Sequence, residues 1–112
     1  MNEYNPDKWL LFKIEGTDPH YRVFGSWSGG YLDGDSWRMN SGIVRVEESE
    51  NHYLFHGYSG SVYKCHKEMY GATLYGWGIA KDFEEKANNT LSILKDIPDN
   101  IMEIKLTDVK LK

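Results

Sequence analysis

The sequence predicts an α+β domain in which one main helix packs on an antiparallel sheet of about five to seven short strands. Short runs rich in Val, Ile, Tyr, Phe and Trp fill the first two thirds of the chain, separated by turns of Gly, Asn and Ser. After Thr73 the apolar spacing changes to three and four residues, the period of a helix face. Strands come first as a block and the helix follows, which is the order of a segregated domain rather than of alternating βαβ units.

Lys8 to Glu15 alternates, with Leu10, Phe12 and Ile14 on one face and Lys13 and Glu15 on the other, as a half-buried strand does. Residues 1–7 before it are polar and read as a loose lead-in. Gly16-Thr17-Asp18-Pro19-His20 is turn chemistry, so Tyr21 to Trp27 is expected to pair back as a hairpin. A Gly-rich loop spans Ser28 to Asn40, followed by strands over Ser41 to Glu47 and Tyr53 to Tyr58, with the polar run Glu48 to Asn51 turning between them. Ser59-Gly60 reads as a two-residue hairpin turn into a strand over Ser61 to Lys67, or else as a bulge in one long strand.

The helix is expected from Thr73 to Asn88, with Thr73 as N-cap and Asn88-Asn89 as the stop. Gly76 and Gly78 each weaken it by about 1 kcal/mol relative to Ala, an expense that close packing of that turn on the sheet would offset. Two further strands, Leu91 to Ile97 and Ile101 to Leu106, flank Pro98-Asp99-Asn100.

A chain of 112 residues is the size of one ordinary domain, residues 1–112, with no length for a second. At that size it can bury roughly 65% of its unfolded surface, enough for a core without staples. With 40% hydrophobic and 14% aromatic residues, the composition is that of a folding chain, not a disordered one. The net charge of -4 makes duplex nucleic acid a poor default partner, though a local basic patch is compatible with it. Cys65 is the single cysteine, so no intramolecular disulfide forms. The N-terminal residues lack the basic start and apolar run of a secretory signal, and Trp9 to Phe12 is far too short to span a membrane. A cytoplasmic protein without membrane association is expected, which empties the sequon at Asn88-Asn89-Thr90 of meaning.

Two segments gather chemistry. The first, Gly25 to Arg38, places Trp27 and Trp37 among Gly, Ser and Asp. It reads either as an aromatic loop that closes on a ligand, with Arg38 for an anionic group, or as a hairpin connection whose indoles plug the core edge. A phosphate-cradling loop does not fit, because such loops lead into a helix and here a strand follows. Asp33-Gly34-Asp35 lacks the ligand number and spacing of a calcium loop and reads as a turn.

The second segment, Tyr58 to Gly71, holds Cys65, His66, Lys64, Lys67 and the phenols of Tyr58, Tyr63 and Tyr70. Cys65 and His66 would point to opposite faces of a strand, so they make no local dyad. With Ser59-Gly60 as the turn, His56 lies diagonal to Cys65 on the same face at roughly 7 Å, beyond hydrogen-bond reach, which leaves a structural thiol as the better reading. Zinc held by Cys65, His52, His56 and His66 lacks the paired ligand spacing, since four residues of strand span about 13 Å. Asp82 to Glu85 is a solvated helix face. No cofactor and no metal are expected. The binding surface is expected to combine Trp27, Tyr31, Trp37 and Arg38 from the first segment with Tyr58, Ser61, Tyr63 and Lys67 from the second, the two cations meeting negative charge.

The stretches GSWSGGYLDGDSWRMNSGI, from Gly25 to Ile43, and GYSGSVYKCHKEMYG, from Gly57 to Gly71, resemble small proteins of tailed bacteriophages, over about a third of the chain. That resemblance implies a viral protein made in the cytoplasm of a bacterial host, and it carries no residue roles. It implies an accessory protein that binds and neutralises a host component in antiviral defence, the component being a host protein or a small nucleotide-like ligand. A small enzyme using Cys65 or a histidine, and a virion assembly component, are the alternatives. A homo-oligomer is compatible with any of them.

Overall fold

The computed structural model describes residues 2–16, 18–29 and 34–104. Within them the chain is an α+β protein with eight strands in two four-stranded sheets and one α-helix. In chain order these are β1 (Glu3–Tyr4), β2 (Lys8–Ile14), β3 (His20–Trp27), β4 (Ser36–Met39), β5 (Ile43–Glu48), β6 (His52–Gly57), β7 (Val62–His66), α1 (Leu74–Lys86) and β8 (Leu91–Ile93). The α+β class agrees with the sequence reading, but the strands divide where one sheet was expected. The first sheet has the order β1-β7-β6-β5 and the second β4-β3-β2-β8.

Three layers result. The strand period of two sends Trp9, Leu11 and Val23 from the second sheet toward Ile43, Val46, Phe55, Tyr63 and Cys65 of the first, forming one core between the sheets. The alternate residues Leu10, Phe12 and Phe24 face the other way and pack with Ala80, Ile79 and Phe83 of α1. Strand β2 is therefore buried on both faces, which is why Trp9 to Phe12 is a continuous apolar run. Trp9 ties the layers together: its indole N–H donates to the His66 carbonyl at 2.7 Å, and its ring meets Tyr70 edge-on at 4.9 Å. The Tyr70 hydroxyl in turn accepts from the Leu11 amide and donates to the Leu94 carbonyl.

The helix begins where its cap predicts. The Thr73 side chain accepts from the Gly76 amide at 3.0 Å, and Asn88 and Asn89 take positive φ of 56° and 74° just past the end. Gly76 packs closely on the sheet as expected, because a Cβ there would lie 2.7 Å from that of Ser26. Gly78 does not, for nothing lies within 4 Å of its Cβ position.

Four other expectations are corrected. Residues 1–7 are not a loose lead-in: Glu3 and Tyr4 pair in parallel with Val62 and Tyr63, and Pro6 is buried. The loop from Ser28 to Asn40 ends in β4, which pairs antiparallel with β3 as Gly25↔Arg38 and Ser26↔Trp37. The β6–β7 hairpin closes with the Gly57 amide on the Ser61 carbonyl, and Gly60 sits at φ +101° with its amide on the Gly57 carbonyl. This longer turn, with its left-handed glycine, slips the register by one residue relative to a Ser59-Gly60 turn, so Cys65 pairs with Tyr53 and His56 with Val62. His56 and Cys65 thus occupy opposite faces, not the same one. Finally, β8 stops at Ile93, and Ile101–Glu103 is a 3-10 turn rather than a strand. Leu106, the expected end of that strand, lies outside the described residues.

Candidate functional site

At the β4 edge the two sheets part, and a cleft of about 810 Å³ opens between the N-terminal strand, the β4–β5 connection and the β6–β7 turn. Arg22, Arg38, Asn40, Ser61, Tyr4 and Tyr63 line it together with Asn2, Met39, Ser41, Ser59 and Gly60. No carboxylate is among them, although the whole chain has 17 acidic residues against 13 lysines and arginines.

Pairing of β3 with β4 sets Arg38 opposite Gly25, on the face that looks toward the first sheet. Its guanidinium lies over the Tyr4 ring, 4.5 Å from the centroid, a cation–π contact that restrains a long side chain. Tyr4 is held in turn by the β1–β7 pairing and by the Tyr63 ring, 5.1 Å away. Arg22 is oriented differently. Its Nε donates to His20 Nε2 at 2.8 Å, while His20 Nδ1 lies 2.6 Å from the Asp18 carbonyl oxygen. A carbonyl only accepts, so the proton belongs on Nδ1, which leaves Nε2 as the acceptor for Arg22. Neither guanidinium has an ion-pair partner among the described residues, whose pairs are Arg45 and His56 with Glu47, Lys67 with Glu48, Lys81 with Glu84 and Lys86 with Asp82.

Asn40 is the most unusual residue in the cleft. It is 3% exposed, its amide donates to the Val23 carbonyl at 3.0 Å, and its Oδ1 accepts from the Val23 amide at 2.9 Å. Because the Val23 N–H can only donate, that clasp fixes which end of the side chain is oxygen. Nδ2 is thereby left buried without a hydrogen-bond partner, the sole such side-chain atom among the described residues. An unsatisfied buried donor costs about 1–3 kcal/mol, so it calls for an explanation. Gly57 packs beside it: a Cβ there would meet Ser61 Oγ at 3.2 Å and Asn40 Nδ2 at 3.4 Å. Gly57 is outside the positive-φ glycines, so room, rather than backbone conformation, is what its missing side chain provides.

Tyr63 completes the floor. Burial pushes its phenol above the ordinary tyrosine range, with Arg38 opposing that shift, so it stays a neutral donor. The cleft is accordingly rich in donors and cations, which suits a small anion.

Of the expected site residues, the structure brings Arg38, Ser61 and Tyr63 together here. Trp27 and Trp37 line a neighbouring cleft of about 590 Å³ that Arg38 also borders. Trp37 stacks on Phe24 at 5.5 Å and meets Phe83 edge-on at 5.3 Å, so it belongs to the core beneath α1, as the core-edge reading of that loop had it. The Trp27 indole donates to the Asn5 carbonyl at 2.9 Å and its ring lies 6.5 Å from Tyr4. Tyr58 stands out at the hairpin tip, 72% exposed, and Lys67 lies at the far end of β7, paired with Glu48 and over the Tyr53 ring. Tyr31 and Asp33 lie outside the described residues. Sequence reasoning missed Tyr4, Arg22 and Asn40. An aromatic in an otherwise polar N-terminal stretch was the one available signal for Tyr4.

The remaining reactive groups sit elsewhere. Cys65 is fully buried in the core between the sheets, where loss of water pushes the thiol well above its usual range, the opposite of an activated nucleophile. His52 and His66 face one another across β6 and β7 with ring centroids 5.0 Å apart, while His56 bonds Glu47 at 2.8 Å. Among the described residues no group of three or more His, Cys, Asp or Glu is placed to hold a metal ion, and no helix is long and apolar enough to cross a membrane.

Comparison with models of protein families, with curated proteins and with solved structures gave no match. What fold and cleft define is therefore a class: a small two-sheet α+β protein with a donor-lined cleft, free of carboxylates among the described residues, beside the edge strand β4.

Proposed function

We propose that the chain works by binding, and that it captures a small nucleotide-like anion in the cleft lined by Arg38, Arg22 and Asn40. One observation carries this reading: two guanidiniums without counter-carboxylates among the described residues and one orphaned buried amide belong to residues that line a single cleft of about 810 Å³. A volume of that order matches small-molecule sites, and fixed donors around it supply orientation. The resemblance to small bacteriophage proteins supplies the setting. There the protein neutralises a host component in the bacterial cytoplasm, in antiviral defence, by holding a nucleotide signal away from its receptor. Sequestration needs affinity and stoichiometry but no nucleophile, consistent with the deep burial of Cys65.

The test is calorimetry on the purified chain with mononucleotides and cyclic dinucleotides, repeated on Arg38→Ala. Saturable one-to-one binding is expected, weakened tenfold or more by the variant, since charge-assisted hydrogen bonds contribute about 1.5–3 kcal/mol. Absence of any Arg38-dependent anion binding at physiological salt would overturn the reading. The second reading, a host protein as target, is favoured by apolar side chains exposed at the start of α1, where Leu74 is 91%, Tyr75 45% and Trp77 36% exposed. Under it, capture of a host protein would be lost on Trp77→Ala and kept on Arg38→Ala.

A further inference from the structure

We propose that the floor of the cleft is a phosphoryl subsite, in which Asn40 Nδ2, the Ser61 and Tyr63 hydroxyls and the Arg38 guanidinium together hold one tetrahedral phosphate group of the ligand. The proposal rests on the cleft being a ligand site and names what the ligand must carry.

The donors come from two separate pieces of chain. Arg38 and Asn40 lie at the end of β4, Ser61 on the turn before β7, and Tyr63 within β7. A carboxylate has two oxygens whose acceptor directions all lie in one plane, so a bidentate arginine and its other donors must approach within that plane. A phosphate monoester offers three terminal oxygens directed tetrahedrally, so it can engage a fork on one side and hydroxyl and amide donors on others. The Asn40 amide decides between a purpose-built subsite and a merely basic surface. Its Oδ1 is committed to the Val23 amide at 2.9 Å, which leaves Nδ2 a buried donor without a partner among the described residues. Gly57 adds no Cβ beside it; one there would press on Ser61 Oγ at 3.2 Å and touch Nδ2 at 3.4 Å. Arg22, held by His20 and not by an acid, remains at the rim for a second negative group. A nucleoside monophosphate or a phosphodiester-linked nucleotide offers acceptors in tetrahedral directions to such a set, whereas each group of a dicarboxylate offers them in one plane only.

Amide-resolved NMR on uniformly 15N-labelled protein tests this, using inorganic phosphate, adenosine monophosphate and acetate as probes at matched ionic strength. The side-chain NH2 pair of Asn40 and the Gly57 amide should shift saturably with phosphate and the monophosphate, and stay unmoved with acetate. Asn40→Asp keeps an oxygen for the Val23 amide while replacing the donor by a negative oxygen, and should weaken monophosphate binding at least tenfold. Should that variant not fold, Gly57→Ala, which deletes no polar group, should weaken binding by a similar factor through crowding alone. If monophosphate binding depends on Arg38 while the Asn40 NH2 resonances do not move, the phosphoryl subsite is wrong and the cleft reading stands. If acetate shifts them as phosphate does, the subsite takes oxyanions without choosing phosphate, and the proposal also falls. If no probe produces Arg38-dependent shifts, the cleft reading itself fails.

Discussion

Two glycines in the first half of α1 should respond to the same substitution in opposite ways. In an exposed helix interior, Gly→Ala stabilises by about 1 kcal/mol, because alanine loses less backbone entropy. Gly78 meets that condition: nothing lies within 4 Å of its Cβ position, so Gly78→Ala should gain about that amount. Gly76 does not. A Cβ there would stand 2.7 Å from Ser26 Cβ, 2.9 Å from Ser26 Oγ and 3.1 Å from Thr73 Oγ1. Those two hydroxyls hold the helix start, Ser26 Oγ accepting from the Thr73 amide at 3.0 Å and Thr73 Oγ1 from the Gly76 amide at 3.0 Å. Making room costs about 1–3 kcal/mol in overpacking, plus about 1 kcal/mol if the cap is displaced, and only about 1 kcal/mol of propensity gain opposes it. A net loss of about 1–3 kcal/mol is expected for Gly76→Ala. Urea unfolding at equilibrium, with shared m-values, reads both variants. A Gly76→Ala protein as stable as Gly78→Ala would refute the close approach of α1 to β3.

Trp37→Ala should cost about 3 kcal/mol of stability in the same assay, because the ring fills the space between Phe24 and Phe83, while Tyr58→Ala stays within about 0.5 kcal/mol. Cys65 should react with a disulfide reagent only as fast as the chain unfolds, and fast labelling of the native protein would contradict its burial. His52 should titrate below 6.5 by NMR, since poor hydration of its ring, then Lys64 and then His66 disfavour its charged form. With the folded value depressed, the unfolded chain binds the proton first, so this group's contribution is intact above pH 6.5 and is lost as pH falls below it; His52→Gln should flatten that part of the stability profile.

The helix was legible because its signals are local. Thr73 caps the amide of Gly76 three residues on, and Asn88 and Asn89 tolerate the left-handed backbone that ends it. Strands β2, β3, β5 and β6 were legible for the same reason, each having several apolar residues in one run. Strand β4 was hidden because it is four residues long and its burial alternates only between half-buried and exposed, leaving no continuous apolar face. Strand β1 is two residues and exists only through its parallel partner, which is 59 residues later in the pairing Glu3↔Val62. The slip in the β6–β7 hairpin had a similar origin, for Ser59-Gly60 fits a two-residue turn and a longer one with Gly60 left-handed, and only the buried pattern of Tyr53, Phe55, Tyr63 and Cys65 chooses between them. In the cleft, Arg38, Ser61 and Tyr63 stood out by residue type and neighbourhood. Asn40 could not, because its role is created by Val23, 17 residues earlier. A side-chain amide gains a fixed direction only from the partner that takes its oxygen.

The placement of charge adds a reason why such a cleft would select small ligands. The chain carries a net charge of -4, yet among the described residues no carboxylate lines the cleft and neither Arg22 nor Arg38 has an ion-pair partner. At physiological salt, potentials decay over roughly 8 Å, so an anion inside the cleft is governed by the two guanidiniums and the donors beside them. A polyanion too large to enter must lie across the surrounding surface, where Asp7 carries an exposed carboxylate beside the neighbouring cleft. Duplex nucleic acid binds through many phosphates at once, whereas the cleft itself presents two cations, Arg22 and Arg38. A compact phosphate-bearing molecule needs no more than that. The same arrangement that made the bulk composition look unsuited to nucleic acid thus leaves room for a nucleotide, because net charge governs the long-range approach of a polymer while the local donor set governs the capture of a monomer.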